Sequence, residues 1–383
     1  MLFRSAVLIE AINSLVGLML VGLVVILFLL AEPIIRAIAP GLDSTAQDIA
    51  VLQLRIMAPM ALLAGLIGIG FGALNADNQF WLPSISPIFS SGIVLIALGI
   101  LYLVIGPAIA SPQFYLLGGS VLAASTLGGA VLQWLAQVPA LWRSGLGSLR
   151  LRFDWSIPGV SQVFGVLFPA TLSSGMLQIN LFTDLFFASY LAGTAAALSY
   201  ANLLVQTPLG IISNVILVPF LPIFARLADP LHWPELKDRI RQSLLFTAIT
   251  MLPLGVLFVV LASPLVRVIY ERGAFDQKAS NLVISLLIVY GLGMFIYLAR
   301  DVLVRVFYAM GDGQTPFKIS FINIGLNALL DYWFIQWLGA PGLVLATVGV
   351  NLFATLILLL ILHQRLGGLP LKSLTGEIGR AHV

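Results

Sequence analysis

Two carboxylates sit where a carboxylate is costly. Asp184 lies within residues 178–210, a stretch apolar enough to lie in a bilayer. That stretch also carries Gln178, Asn180, Asn202 and Gln206 before Pro208 ends its polar run. An ionised carboxylate near the centre of a membrane helix costs at least about 3 kcal/mol unless it faces water, a partner or an ion. Asp184 is therefore expected to face an internal cavity. Asp331 closes the stretch Asn323-Ile-Gly-Leu-Asn327-Ala-Leu-Leu-Asp331, in which Asn323, Asn327 and Asp331 recur every fourth residue on one helix face. Thr347 follows on the next apolar segment. Two carboxylates, an amide and a hydroxyl are the oxygen ligands a hard cation takes. The same groups suit a hydrogen-bonded structural cluster with one acid protonated, and spacing alone leaves the two readings level.

Other charged residues carry weaker signals. Asp301 and Arg305 are four apart and share a face, which suits an internal ion pair with Arg305 reaching back to the interface. Arg300 points elsewhere and is the better candidate for holding an anion. Together with Asn202, Gln206 and Gln178 it is expected to line a substrate cavity. Arg55 lies near the end of an apolar segment, where snorkelling is the default. Glu10 and Asn13, one turn apart, fit a cavity wall or a structural role equally. Gly68, Gly70 and Gly72 resemble part of a glycine fingerprint, but no strand precedes them, and close helix packing explains them better.

Enzyme chemistry finds little here. The chain has no cysteine and three histidines, His232, His363 and His382, none of which pair at metal-ligand spacing. No catalytic residue is expected, and no basic tract points to nucleic acid. The composition, 60% hydrophobic and 9% charged against about 25% charged in soluble domains, fixes an all-α polytopic membrane protein. At about 20 residues per span, 383 residues hold about ten transmembrane helices. The apolar segments begin near Ala6, Ile49, Trp81, Tyr115, Val160, Ala195, Ser243, Leu282, Phe317 and Leu343. The second runs to Leu74 and the seventh to Ile269. A loop holding Glu32, Arg36, Asp43 and Asp48 follows the first segment, and a polar connection runs from Arg226 to Arg241. Twelve lysines and arginines fall on one side against five on the other, which places the basic loop after the fourth segment in the cytoplasm. Residues 6–143 then form a first lobe of four helices, 144–158 a cytoplasmic linker and 159–366 a second lobe of six. The two lobes are expected to enclose a central cavity.

Both ends read as foreign. Leu2-Phe3-Arg4-Ser5 and Glu377-Ile378-Gly379-Arg380-Ala381-His382-Val383 match the in-frame translation of a common sequencing adapter. The chain is accordingly expected to be a piece of a longer protein, with its first lobe and its C-terminus truncated.

Several short motifs then resemble one family in their order and spacing. They are Pro59 through Leu74-Asn75-Ala76 with Pro83 and Pro87, Phe187-Ala188-Ser189, and Tyr200-Ala201 with Pro208-Leu209-Gly210. Leu221-Pro222, Tyr270-Glu271-Arg272-Gly273-Ala274-Phe275, and Phe307-Tyr308-Ala309 with Thr315-Pro316 continue the series. The pattern resembles the MurJ (MviN) family of lipid II flippases, within the superfamily that also holds multidrug extruders and polysaccharide flippases. The resemblance implies two six-helix lobes plus two C-terminal helices, of which this chain would carry the third to the twelfth. It implies transport of undecaprenyl-linked peptidoglycan precursor across the bacterial plasma (inner) membrane by alternating access, in the service of cell wall biogenesis and cell shape. Lipid II, membrane lipids and cell-wall synthesis proteins would be the partners. It further implies a sodium site between the fifth, ninth and tenth segments here, built by Asp184, Asn327, Asp331 and Thr347 with the carbonyl of Leu343, and sodium as the coupling ion. Many family members carry an arginine where this chain has Leu203, so a diphosphate contact from that position is absent. The rival readings are another transporter of the superfamily, responsive to drugs or polysaccharide lipids, and a membrane scaffold that moves nothing.

Overall fold

A computed structural model describes residues 2–145, 150–157 and 159–370. Every regular element among them is helical. The chain divides into two compact units, Met1–Ser174 and Gly175–Val383. The expected linker, 144–158, lies inside the first unit, and the division itself falls within a helix.

The first unit contains α1 (Leu2–Leu29), α2 (Ala31–Ile38), α3 (Ser44–Met57), α4 (Met60–Ala76), α5 (Trp81–Ile105), α6 (Tyr115–Arg143) and the start of α7 (Val160–Ala188). The expected loop after α1 contains a short amphipathic helix, α2, which an eight-residue length hides from a search for spans. The second apolar segment is two helices, α3 and α4, bent by 42°. Pro59 lies at the break, where its missing N–H and ring interrupt helical bonding. Asp43 starts α3 earlier than hydropathy suggests, its Oδ1 accepting from the Ala46 N–H at 2.7 Å. α6 packs on α3, α4 and α5. At Gly129 a Cβ would stand 2.7 Å from the Ser90 carbonyl of α5, so only glycine permits that approach. Of the four glycines in α4, Gly65 packs against Leu20 of α1 and Gly70 against Gln137 of α6, while Gly68 and Gly72 face open space. The segment before α7 is tied to α1: the Arg152 N–H donates to the Ser14 hydroxyl at 2.8 Å, and Arg152 Nε lies 3.5 Å from the buried Glu10 carboxylate.

The second unit contains the rest of α7, α8 (Thr194–Arg226), α9 (Trp233–Val260), α10 (Ala262–Tyr270), α11 (Gln277–Ala309), α12 (Gln314–Leu338) and α13 (Ala340–Arg365). α11 is its axis, packed against α8, α9 and α13, with Leu286, Leu287, Met294, Leu298, Leu303 and Phe307 sealed from solvent. Most of the expected polar connection 226–241 is helical, because α9 begins at Trp233 with Pro234 in its first turn. The seventh apolar segment breaks at Leu261, and α10 follows it. The Tyr270–Phe275 motif forms a compact turn. Gly273 supplies a φ of +60°, Tyr200, Tyr270 and Phe275 pack ring to ring, and the Tyr270 hydroxyl donates to the Tyr200 carbonyl. Among the described residues seven helices are long and apolar enough to cross a membrane, eight if α3 and α4 count as one span. The ten expected segments all correspond to helices, but α7 and α12 are not among those that pass, and for α12 its polar residues account for that. The chain is a multi-pass membrane protein.

The turn between α11 and α12 is locked by Asp312. Its Oδ1 accepts from the Thr315 N–H at 3.0 Å, and its Oδ2 accepts from the Thr315 hydroxyl at 2.8 Å and from Arg365 Nη1 at 2.7 Å. The Thr315 backbone N–H first, then the Thr315 hydroxyl and Arg365, hold its carboxyl below the usual aspartate range. Because the folded-state value is the lower one, the contribution is present above the unfolded-state value of about 4 and is lost as pH falls through the folded-state value. The Asp312→Asn variant should therefore lose about 1 kcal/mol or less at neutral pH, given the exposure of the pair, and nothing at pH 2. Urea unfolding in detergent at the two pH values measures this; an equal loss at both would remove the electrostatic explanation.

Candidate functional site

Helix geometry places Asn323, Asn327 and Asp331 one above another on α12, and that face is turned inward: they are 3%, 2% and 0% exposed. A buried polar stripe is tolerated only where partners meet it. The partners come from α7 and α13. Asn327 Nδ2 donates to Asp184 Oδ1 and to Asp331 Oδ2, each at 2.8 Å. One amide thus bridges two carboxyl groups from two helices. Asp331 and Thr347 also lie beside the Asp184 carboxyl. The Thr347 hydroxyl donates to the Leu343 carbonyl at 3.1 Å, which joins Leu343 to the cluster through Thr347. Asp184, Asn327, Asp331 and Thr347 therefore come together, and Leu343 is linked to them only through the bond from Thr347 within α13.

The cluster forms one wall of a cavity of about 530 Å3 within the second unit. Asn202 and Gln206 of α8 and Arg300 of α11 line it, as expected, together with Asn180, Asn323 and Asp301. Gln178 does not; it is exposed on α7, nearly two helical turns from Asp184 and outside the lining. Leu203, 60% exposed, is also outside it. Arg300 Nη2 reaches the Ser320 hydroxyl at 3.5 Å, while its Nε is buried without a partner. Asn180 Oδ1, Asn323 Oδ1, the Tyr297 hydroxyl and Asp331 Oδ1 are buried and unpartnered as well. Such atoms are rare in a finished interior, and their concentration around one cavity marks it as built to meet polar groups.

Tyr290 and Tyr297 also line the cavity, and sequence reasoning missed them. They are seven residues apart, two turns along one face of α11, with ring centroids 6.4 Å apart. That spacing is the only signal the sequence offers for them. On α13, Thr347, Asn351 and Thr355 recur every fourth residue, and each of the last two bonds to the backbone one turn earlier.

In the first unit, Asn13 and Ser14 border a mainly apolar cavity of about 350 Å3. Glu10 is instead engaged by Arg152.

These features define a helical membrane transporter with a polar cavity in its second unit. The fold matches a solved lipid II flippase, MurJ, in an inward closed conformation, with a TM-score of 0.77 at 22% identity over 98% of this chain and 76% of that one. It also matches a multidrug-resistance MATE-family transporter of the MOP superfamily in an inward-facing conformation, with a TM-score of 0.70 at 15% identity over 96% and 87%. Residues 4–381 match the family model "Lipid II flippase MurJ". A probable lipid II flippase MurJ of Synechocystis is 55% identical over 377 residues, covering 98% of this chain and 71% of the relative. One from Rhizobium tropici is 30% identical over 344 residues, covering 87% of this chain and 63% of the relative. The chain belongs to the MurJ lipid II flippase family, a family of transporters rather than enzymes.

Proposed function

We infer that the chain acts in moving lipid II across the bacterial inner membrane, and that its second unit supplies a polar cavity for that movement and a sodium site that biases it. Family membership carries the substrate. The head group, bearing sugars, a peptide and a diphosphate, needs a polar route, while its polyprenyl tail stays in lipid. Alternating exposure of a cavity to the two sides is how two-lobed transporters provide such a route. Cell-wall synthesis proteins are the partners this role calls for. A drug extruder would respond to apolar cations and ignore lipid II; a scaffold would have no use for buried carboxylates.

Arg300 is the cation in this cavity best placed to attract the diphosphate, since Leu203 offers no charge. Complementation of cells depleted of their own lipid II flippase, by a full-length MurJ gene that carries this chain's sequence, tests both ideas. Rescue is expected, and Arg300→Ala should reduce it at least about tenfold, as expected for loss of a charge-assisted hydrogen bond. Arg305→Ala should reduce it little. Equal, mild effects would return Arg300 to a snorkelling role.

Sodium suits the cluster because the Asp331 Oδ1 atom is buried without a partner and the donor set is all oxygen once the Asn327 amide turns end for end. The ion would supply positive charge between two carboxylates and so draw α7, α12 and α13 together. A second reading, a hydrogen-bonded cluster that takes no ion, is favoured by the Asn327 NH2 facing both carboxyl groups. Sodium titration followed by thermal unfolding separates the two. At about 100 times Kd, sodium should stabilise the chain by about 2.7 kcal/mol, whereas choline chloride should not. Asp331→Asn should remove the response. A melting temperature indifferent to sodium would leave the ion-free cluster standing.

A further inference from the structure

A separate, charged pocket lies in the first unit, where α2 meets α3. It measures about 210 Å3 and takes Glu32 and Arg36 from α2 and Gln47, Asp48 and Arg55 from α3. Glu32 and Arg36 pair with each other one turn apart. Arg55 is different. Its Nε is buried with no acceptor, and the guanidinium is held over the Phe28 ring, 5.9 Å from the centroid. A buried charged donor without an acceptor is unfavourable, and an anion in the pocket would relieve it.

The pocket's depth says which anion. The first apolar span covers Val7–Leu29, so Phe28 and the Arg55 guanidinium above it belong to its last turn. α2 starts at Ala31, immediately beyond. Its Ala31 is buried and its Glu32 and Arg36 are exposed, the pattern of a helix lying along the interface. α3 runs back inward from Ser44, so Asp48 stands about 10 Å closer to water than the Arg55 backbone. From the hydrocarbon outward the pocket presents the Arg55 cation first, then the Asp48 carboxylate and the Glu32–Arg36 pair. A zwitterionic phospholipid presents the complement in the same order: a phosphodiester at the edge of the hydrocarbon and an ammonium farther out. A headgroup carrying phosphate and a neutral alcohol would leave the Asp48 carboxylate facing its negative charge.

We propose that this pocket binds a zwitterionic phospholipid headgroup, with the phosphate on Arg55 and a primary ammonium against Asp48. The site is on the side of the membrane opposite the basic loops and shares no residue with the cavity of the second unit. It is therefore independent of the flippase reading.

The test uses the purified chain in detergent, titrated with short-chain phosphatidylethanolamine, short-chain phosphatidylglycerol or water-soluble phosphoethanolamine, with thermal unfolding as the readout. Phosphatidylethanolamine should stabilise the chain at lower concentration than phosphatidylglycerol does, and phosphoethanolamine should have little effect. Arg55→Gln should weaken the phosphatidylethanolamine response about tenfold, the loss of one charge-assisted contact. Asp48 is exposed, so Asp48→Asn should fold normally; it should weaken the phosphatidylethanolamine response and leave that to phosphatidylglycerol unchanged. Equal responses to the two lipids, or a phosphatidylethanolamine response unchanged in Asp48→Asn, would overturn the proposal. A response to phosphoethanolamine as strong as to the lipid would overturn the lipid as occupant.

Discussion

Asn327→Leu is expected to destabilise the second unit by about 2–6 kcal/mol, while keeping nearly the same side-chain volume. The reason is a doubled loss. The one NH2 group donates to Asp184 Oδ1 and to Asp331 Oδ2, and leucine donates to neither. Each buried acceptor left unsatisfied costs about 1–3 kcal/mol, so two cost about twice that. Asp331, completely buried and already carrying one unpartnered oxygen, has no water to turn to. Asp184 can turn toward the cavity, and this places its share at the lower end. Asn323→Leu, one turn away, supplies the comparison: its Oδ1 has no partner, so its loss should be small or favourable. Denaturant unfolding in detergent, with the two variants side by side, measures the difference. Equal losses would mean that the amide of Asn327 does not bridge the carboxyl groups.

The carboxylate–amide cluster was legible in the sequence because each of its parts is a departure from a simple background. An aspartate in an apolar run stands out, and a polar residue every fourth position assigns a face. The convergence of Asp184 with Asp331, which lie 147 positions apart by subtraction (331 − 184), came from the family resemblance and from the rule that a buried carboxylate needs company. What the sequence hid was of two kinds. Residues in the opening turns of α9 and the whole of α2 are too polar to read as membrane helix, yet an amphipathic face is enough to keep each of them helical. Tyr290 and Tyr297 failed to stand out for the opposite reason: tyrosine is ordinary in a membrane helix, and nothing but a two-turn spacing separates a cavity wall from a lipid face. Gln178 misled because an amide was taken to need the cavity, whereas α7 turns that position outward. Gly68, Gly70 and Gly72 show the limit most clearly, since three identical residues at spacing two cannot all meet one neighbour on a helix of 3.6 residues per turn.

Two glycines meet backbone to backbone where α9 crosses α11, and replacing them should have the second large effect. A Cβ on Gly255 would stand 2.5 Å from the Gly291 carbonyl oxygen, and one on Gly291 would stand 2.9 Å from the Gly255 carbonyl oxygen. Backbone cannot swing aside as a side chain does. To reach ordinary contact at 3.4 Å, Gly255→Ala must push the helices apart by about 0.9 Å (3.4 − 2.5). That opens the buried seam in which Met251, Phe258 and Met294 lie, all 6% exposed or less. Overpacking of this kind costs about 1–3 kcal/mol, and a contact against backbone on α11, the axis of the unit, belongs at the upper end. Gly291→Ala should cost somewhat less, its nearest approach being longer. The double variant should lose less than the sum of the two, because the separation forced by one methyl makes room for the other. Gly68→Ala on α4 is the control, with nothing within 4 Å of the added carbon and an expected gain of about 0.5–1 kcal/mol. Unfolding free energies of the four variants in one detergent decide it. If the two single losses simply add, the methyl groups do not act across one shared gap, and the helices do not cross as closely as Gly255 and Gly291 require.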